Sequence, residues 1–576
     1  MAIKTEAEEF ERHSEIRNGE LIRYWGSAAD VTIPDHVAII ASGAFRGCRK
    51  LRNVTLGKQL TSIHDDAFAG CSKLRQITFP TGLREIGERA FEGCLSLAGV
   101  SLPKTVYTVG QAAFMRCEAL RTVILPASLA NLGAFAFAGC MALEEILLPD
   151  GFDAIHRSTF FRCASLRHIH IPESVKTIGS NAFALCETLT DITLPDGVTY
   201  IGKGAFTGCT SLRFFRVPER VRFLGNELFA GCSRLEQVTM SARLSRIGNH
   251  TFSACAALTD PELPPALKNI GESAFFGCTG LREIRLPDGT ETLGASAFAY
   301  CTGLRSVTLG ETVQAILTRA FYGCRALESV ALPESVRSIG DSAFAGCTGL
   351  SAVTFSAETE RIGEETFAGT AIESVSLPHR LRRLGERAFA DCRRLATLIL
   401  PPAGCAIGAG AFAGCAGLEL AVLPDRLPFV RQKLEKWQLN PGATLLRHAD
   451  LQLAPLLTEY ADPATEPERR EELFGEISAK IAQLRRRVAT EPTMPATEPE
   501  ATEPEAENET GSATETAEGA EPDGTAEPAE GSAQASAPVS EPESKTASEP
   551  APASEPTPAP EPEKEKTADH QTTEGA

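Results

Sequence analysis

A phenylalanine three positions before a cysteine recurs through most of this 576-residue chain and constrains its fold more than any other feature. Successive phenylalanines are 23 residues apart, except for one step of 22 between Phe367 and Phe389. A fixed period of this size is typical of a solenoid, in which each repeat packs on its neighbours and the array has no set length. The seventeen phenylalanines, of which only Phe367 is followed by Thr instead of Cys, are Phe45, Phe68, Phe91, Phe114, Phe137, Phe160, Phe183, Phe206, Phe229, Phe252, Phe275, Phe298, Phe321, Phe344, Phe367, Phe389 and Phe412.

Each repeat, called a rung here, has the pattern of a short strand followed by a turn. In Ile77, Thr78 and Phe79 the alternation predicts that the outer pair points inward and the middle residue outward. Proline usually follows and ends the strand, because it has no N–H to donate to a ladder. Gly179 then suits a turn with positive φ, and residues 181–186 are predicted to form a short helical turn. One rung cannot bury its apolar face alone, so stacking is obligatory.

Three departures from the pattern stand out. Pro261 occupies a strand position, and we expect the ladder to weaken there because proline donates no hydrogen bond. Leu317 replaces the usual glycine, and the segment around Thr370 loses one residue. Long arrays tolerate local irregularities, so neutral drift is favoured over a functional kink at these sites.

Sixteen of the 17 cysteines share one rung position, and Cys405 is the exception. This regularity predicts buried thiols that serve packing, since a free cysteine behaves as a small hydrophobe. Neighbouring rungs would place the sulfurs about 5 Å apart, near disulfide range, so the bridged state stays open. No metal site is expected, because a column with one thiol per rung lacks convergent pairs.

The net charge of −19 is concentrated at the C-terminal end. Residues 491–576 contain 22 acidic and 3 basic residues, which leaves 53 of each in the rest of the chain. A balanced body argues against nucleic-acid binding, which requires a clustered basic surface. Residues 490–576 also lack Leu, Ile, Phe, Tyr and Trp, and this composition predicts a disordered tail. A solvated spacer and a stalk with modified Ser and Thr both fit it.

The segments that flank the repeats predict end caps. Asn18-Gly19 between two apolar runs indicates a hairpin within residues 1–29, with a helix over residues 6–12 as the alternative. The solenoid is assigned to residues 30–424 and a helical cap or extension to residues 425–489. In the last predicted helix, Leu473, Ile477 and Ile481 recur at helical spacing, and both a cap and a partner-binding segment fit.

The N-terminus lacks the apolar region of a Sec signal peptide, which favours a cytoplasmic protein. No run of 18 apolar residues is present, so no membrane span is expected.

The repeat L-x-x-V-x-L-P-x-x-V-x-x-I-G-x-x-A-F-x-G-C-x-x-L resembles that of the BspA-like bacterial leucine-rich repeat family. Residues 332–350 carry it nearly in full, and the resemblance spans roughly residues 30–423. It implies an α/β repeat solenoid: a curved array of about 17 rungs with a parallel β-sheet on the concave face. It transfers no catalytic residues. Members known as surface antigens act as adhesins that bind host or matrix proteins, so the resemblance also makes a surface or extracellular location an expectation.

The outward strand positions are where rungs differ most. Most rungs carry Thr or Ser there, such as Thr55, Thr78 and Thr308, whereas rungs near residues 122–216 carry aromatic, histidine, charged and aliphatic side chains. Exposed apolar groups on such a sheet are candidate contacts. The predicted partner-binding residues are Ile124, Glu145, Leu147, His168, His170, Asp191, Phe214 and Arg216.

The sequence therefore predicts a non-catalytic scaffold that binds a protein ligand, with a glycan as the other ligand class. No catalytic, cofactor-binding or metal-binding residues are assigned, because none of the motifs that carry such chemistry is present. Two alternatives are a surface adhesin exported by a non-Sec route and a self-assembling structural rod. The oligomeric state and the identity of the ligand stay open.

Overall fold

The computed structural model describes residues 6–448, 456, 459–460 and 467–488. The predicted disordered tail, residues 490–576, lies outside the described residues. Within them, parallel strands follow one another rung by rung and form a β-solenoid of about 19 turns. Each turn contributes a strand to one or both of two rows of strands, ladder A and ladder B.

Ladder A contains the longer strands, in which the middle residue is buried and its neighbours mostly face outward. The sequence predicted this alternation at Ile77, although the strand begins one residue earlier, at Gln76. The strands of ladder A are β3 (Asp30–Thr32), β5 (Asn53–Thr55), β7 (Gln76–Thr78), β9 (Gly99–Ser101), β11 (Thr122–Ile124), β13 (Glu145–Leu147), β15 (His168–His170), β18 (Phe214–Arg216), β20 (Gln237–Thr239), β23 (Glu283–Arg285), β25 (Ser306–Thr308), β27 (Ser329–Ala331), β29 (Ala352–Thr354), β31 (Ser374–Ser376), β33 (Thr397–Ile399), β35 (Leu420–Leu423) and β36 (Thr444–Arg447).

Ladder B contains two-residue strands in which the second residue is buried. The sequence pattern showed only an aliphatic position here and missed the parallel pairing. The strands are β4 (Ile39–Ile40), β6 (Ser62–Ile63), β8 (Glu85–Ile86), β10 (Thr108–Val109), β12 (Asn131–Leu132), β14 (Ala154–Ile155), β16 (Thr177–Ile178), β17 (Tyr200–Ile201), β19 (Phe223–Leu224), β21 (Arg246–Ile247), β22 (Asn269–Ile270), β24 (Thr292–Leu293), β26 (Ala315–Ile316), β28 (Ser338–Ile339), β30 (Arg361–Ile362), β32 (Arg383–Leu384) and β34 (Ala406–Ile407).

The third side of each rung is a pair of overlapping turns, and the predicted helical turn at residues 181–186 is wrong. Asn181 and Leu185 both have positive φ, at 55° and 61°. This backbone lets alternate N–H groups donate to the next rung, as from Phe183 to the Ala205 carbonyl at 2.8 Å. In a helix those N–H groups would donate within the segment, along the helix axis. The overlapping turns are favoured because they leave the N–H groups available to bond the next rung.

The role assigned to Gly179 is also wrong. Its φ is not positive, and a Cβ added to it would lie 2.5 Å from the Arg157 nitrogen of the preceding rung. Glycine is needed here for close approach between rungs, not for a left-handed turn. The left-handed positions lie a little further along, at Asn181 and Leu185.

The core is a continuous column of phenylalanine rings. Neighbouring rings are nearly parallel, with centroids 4.7 Å apart at Phe45–Phe68 and 5.9 Å apart at Phe389–Phe412. The cysteine column lies beside it. Cys209 Sγ donates to the Phe183 carbonyl of the preceding rung at 3.2 Å, and the same bond recurs along the array. All 17 cysteines are free thiols.

Burial raises the pKa of the Cys209 thiol well above its usual value. Cys209 is therefore held in the neutral form, in which its thiol serves packing and hydrogen bonding.

Two caps close the array within the described residues. At the N-terminal end, helix α1 (Glu6–Arg12) precedes the hairpin of β1 (Ser14–Arg17) and β2 (Glu20–Tyr24), so both alternatives offered by the sequence are present. β2 pairs in parallel with β4 and continues ladder B. The ring of Phe10 stacks on Tyr24, with centroids 5.4 Å apart.

At the C-terminal end, helix α2 (Val430–Trp437) takes the place of the phenylalanine-containing turn. The N–H groups of Gly410 and Phe412, which would otherwise donate to a next turn, donate to Lys436 and Trp437. Ladder A then continues to β36, beyond residue 424, where the sequence pattern suggested helix alone. The last two turns, which contain β35 and β36, lack the repeat phenylalanine. The array therefore has about 19 turns although the phenylalanine occurs 17 times. Helix α3 (Pro467–Val488) follows.

Ladder A is interrupted at four places among the described residues. One lies at residues 260–262, where the predicted effect of Pro261 is confirmed by the absence of a strand. A second lies at residues 191–193, and a third falls between β7 and β9. The fourth follows the shortened repeat, where β29 and β31 belong to separate sheets.

Candidate protein-binding face

All eight residues proposed from the sequence are exposed, and seven of them, all except Asp191, lie at outward positions of ladder A strands. Three of them are large apolar side chains with high exposure: Ile124 at 63%, Leu147 at 72% and Phe214 at 53%. Alternation accounts for this placement, because the middle residue of each strand, such as Ile146, points into the core.

The structure brings five of the eight residues onto one continuous sheet. The strands β11, β13 and β15 pair in register, so Glu145 lies beside His168 and Leu147 beside His170. Ile124 occupies the same strand position as Leu147 in the preceding rung. These residues form a compact surface across three rungs.

The other three residues lie across the interruption at residues 191–193. Asp191 is in an irregular segment, and its carboxylate lies 3.3 Å from His168 Nδ1. Phe214 and Arg216 are on β18, which pairs only with β20 among the described strands. Arg216 forms an ion pair with Asp196 at 2.9 Å. Phe214 and Arg216 therefore extend the surface without sharing its hydrogen-bonded sheet.

The guanidinium of Arg213 covers part of the Phe214 ring, 5.2 Å from its centroid. Arg213 is held there by two bonds of 2.9 Å to the carboxylate of Glu236. These bonds raise the pKa of Arg213 and lower that of Glu236, because each stabilises the charged form of its partner. A fixed arginine beside an exposed ring is a common feature of protein-binding surfaces.

Sequence reasoning missed a second apolar surface on ladder A, which helix α3 covers. Leu473 and Ile477 of α3 are buried, and Ile477 packs with Ile399, Leu420 and Val422. The helical spacing of Leu473 and Ile477 was visible in the sequence, but their contact surface was not. Outward aliphatic residues at Ile399 and Val422 were the available signal.

Two further features lie away from ladder A. Phe276, Tyr300 and Tyr322 form edge-to-face contacts with centroids 5.3 Å apart. A largely apolar cavity of about 670 Å³ lies between α2 and the last rung and is lined by residues that include Leu434, Leu439 and Leu445. In the part of the chain that the structure describes, no group of three His, Cys, Asp or Glu side chains is arranged to hold a metal ion.

Comparisons with known proteins agree with this architecture. The model of the BspA type leucine-rich repeat region matches residues 23–134, 84–213, 199–328 and 314–434. A leucine-rich repeat protein from Bacteroides ovatus ATCC 8483 is similar, with 30% identity over 63% of this chain and 87% of that chain and a TM-score of 0.53.

Two further solved structures match the chain. A leucine-rich repeat protein of T. pallidum is 36% identical over 30% of this chain and 83% of its own, with a TM-score of 0.29. The pneumococcal vaccine antigen PcpA is 17% identical over 75% and 95%, with a TM-score of 0.33. No curated protein sequence matches the chain.

The chain belongs to the BspA type leucine-rich repeat family. Proteins with such repeats are generally scaffolds that bind other proteins and are typically not enzymes. No helix among the described residues is long and apolar enough to cross a membrane.

Proposed function

We propose that this protein is a non-catalytic scaffold that binds a protein partner through the outward surface of ladder A at residues 122–216. The observation that carries the proposal is the pair Ile124 and Leu147, which stand exposed in adjacent rungs where most others carry Thr or Ser. Covering one such side chain contributes about 1.5–3 kcal/mol to association.

A protein partner fits this surface better than a glycan. The central side chains are aliphatic, and they are flanked by the polar groups of Glu145 and His168. An apolar centre with a polar rim is the usual composition of a protein interface. Glycan recognition would instead favour aromatic platforms, and Phe214 is the single aromatic residue among the eight.

The test places a photocrosslinking residue at Leu147 in the full chain. A partner identified by crosslinking is then purified, and its affinity is measured by calorimetry for the wild type and for Ile124→Thr/Leu147→Thr. Threonine restores the side chain that most rungs carry, so the fold is retained. We expect the double variant to bind at least about tenfold more weakly, since two apolar contacts are lost.

Leu317→Thr provides the matched control, because Leu317 is an exposed leucine outside ladder A. It should bind the partner as the wild type does. If the wild type and the double variant bind with equal affinity, Ile124 and Leu147 are not part of the binding site and the proposal is wrong. The same binding surface serves an internal partner or a host or matrix protein, and protease accessibility in intact cells separates these settings.

A further inference from the structure

Large aliphatic residues occur in only two runs at the third position of the described ladder A strands. The first run is Ile124 and Leu147, and the second is Ile399, Val422 and Leu446. The other strands carry threonine, serine, alanine, histidine or a charged residue at this position. The two runs are equivalent in register, so they present the same kind of surface.

The second run is occupied by the chain's own helix. Ile399 is 7% exposed and Val422 is fully buried, because α3 lies over them. The helix contributes Ile477, and Leu473, four residues earlier and therefore on the same face, is also buried. Ladder A thus has a demonstrated mode of contact with an amphipathic helix.

A charged contact accompanies the apolar one. Arg470, one turn before Leu473, forms an ion pair with Glu334 in the segment that follows β27. Glu334 lies three rungs before Ile399. The residues at the same position within a rung close to the first run are Asp150, Glu173 and Asp196, which lie on its C-terminal side and are all exposed. The first run therefore has both the aliphatic row and an acidic row beside it.

The first run differs in being uncovered. Ile124 and Leu147 are 63% and 72% exposed, against 7% for Ile399. The α3 of the same chain is not free to cover them, because its Ile477 already packs with Ile399, Leu420 and Val422. A helix of another protein can therefore occupy it.

We infer that the first run binds an amphipathic helix of a partner, with two aliphatic residues four positions apart and a Lys or Arg one or two turns away. The aliphatic pair packs on Ile124 and Leu147, and the basic residue meets Asp150 or Glu173. The inference rests on the proposed function and specifies its ligand class.

The test uses the full chain and a labelled peptide of residues 467–488 as probe. The peptide carries Gly475→Ala, which favours helix by about 1 kcal/mol, and a photoreactive leucine at position 473. An alanine fits at 475 in the folded chain because no atom lies within 4 Å of its Cβ. We expect crosslinks to β11 and β13, and at least tenfold weaker binding to Ile124→Thr/Leu147→Thr. Binding to Leu317→Thr should be unchanged.

Charge reversal checks the acidic row. Asp150→Lys/Glu173→Lys should weaken the peptide several-fold, and a peptide with Arg469→Glu/Arg470→Glu should recover that loss. Rescue would distinguish a paired charge from a general disturbance of the surface.

Two results would overturn the inference. One is crosslinking confined to β33, β35 and β36, which would mean that the peptide merely exchanges with α3. The other is no binding to the full chain. If the partner found through Leu147 still depends on Ile124 and Leu147, the proposed function stands while the helical ligand class fails.

Discussion

At the scale of the residue, three residues of a typical rung have distinct roles. The phenylalanine fills the core, and the cysteine thiol donates to the phenylalanine carbonyl of the preceding rung. The glycine before the turn allows two backbones to approach closely, as at Gly179. Thr370 shows what happens when the cysteine is replaced: its hydroxyl donates to Phe367 within its own rung.

The close-approach role of glycine predicts a strong difference between two glycine-to-alanine changes. In Gly179→Ala the Cβ would meet the Arg157 nitrogen at 2.5 Å, whereas in Gly197→Ala the nearest atom is 3.6 Å away. Other rungs hold His156 and Leu317 at the position of Gly179, so the array can adjust. We expect Gly179→Ala to cost about 1–3 kcal/mol of unfolding free energy. Gly197→Ala should be near neutral. Denaturant unfolding of both variants measures this, and equal stability would refute the steric role.

A buried histidine predicts a pH dependence at the C-terminal end. His448 donates from Nε2 to the Leu400 carbonyl at 2.9 Å, and burial lowers its pKa below the usual 6.5. As pH falls, the unfolded chain therefore takes up a proton before the folded one does. The last turns should be most stable above pH 6.5 and lose stability as pH falls below it.

Hydrogen exchange of residues 420–448 at pH 7.5 and pH 5.5 measures this loss. His448→Gln keeps a donor for Leu400 but does not titrate, so it should flatten the pH response. His36→Gln, at an exposed position, should leave the response unchanged. A response that survives His448→Gln would assign it to another group.

At the scale of the element, α3 is held on ladder A by few contacts. Ile477 packs with Ile399, Leu420 and Val422 beside Leu456 and Tyr460, Leu473 is buried, and Arg470 forms an ion pair with Glu334. The Arg470 side chain is largely buried but that of Glu334 is 57% exposed, which weakens the ion pair, so the apolar side chains contribute most of the docking energy. The helix is therefore a candidate for local detachment while the solenoid remains folded.

Replacing both aliphatic residues should release α3. Leu473→Ser/Ile477→Ser removes two buried side chains, each of which contributes about 2–5 kcal/mol. We expect the combined loss to exceed the free energy that holds α3 on ladder A. Hydrogen exchange should show lost protection at residues 467–480 and unchanged protection in β25 and β27. Phe474→Ser is the control, because Phe474 is 43% exposed on the same helix. Retained protection in the double variant would mean that other contacts hold α3.

At the scale of the whole molecule, stability is a sum over rungs and their interfaces. The interruptions of ladder A are therefore the weak interfaces, and the one at residues 260–262 has an identifiable cause. Pro261 is buried at the position where other rungs place valine or isoleucine, and it cannot donate to the ladder.

Pro261→Val should restore a strand between β20 and β23. We expect a gain of about 1 kcal/mol, since a backbone donor is recovered in a packed position. Slower hydrogen exchange in residues 237–239 and 283–285 would report the repair. Pro264→Val in the same rung is the control, because proline commonly follows the strands of ladder A. No change in exchange would show that the interruption has another origin.

The period alone determined the solenoid, the phenylalanine and cysteine columns and the row of outward residues. Each of these follows from a local pattern repeated at constant spacing. The exposure of Ile124 and Leu147 could therefore be predicted from the sequence. Only the tertiary structure decided the rest. The short distance between rungs explains why position 179 is glycine. It also allows the two-residue strands of ladder B to pair. The packing of α3 on ladder A brings Arg470 into an ion pair with Glu334, which lies 136 residues earlier in the chain. Contacts between segments so far apart depend on how the chain folds back, and no periodic pattern encodes that return.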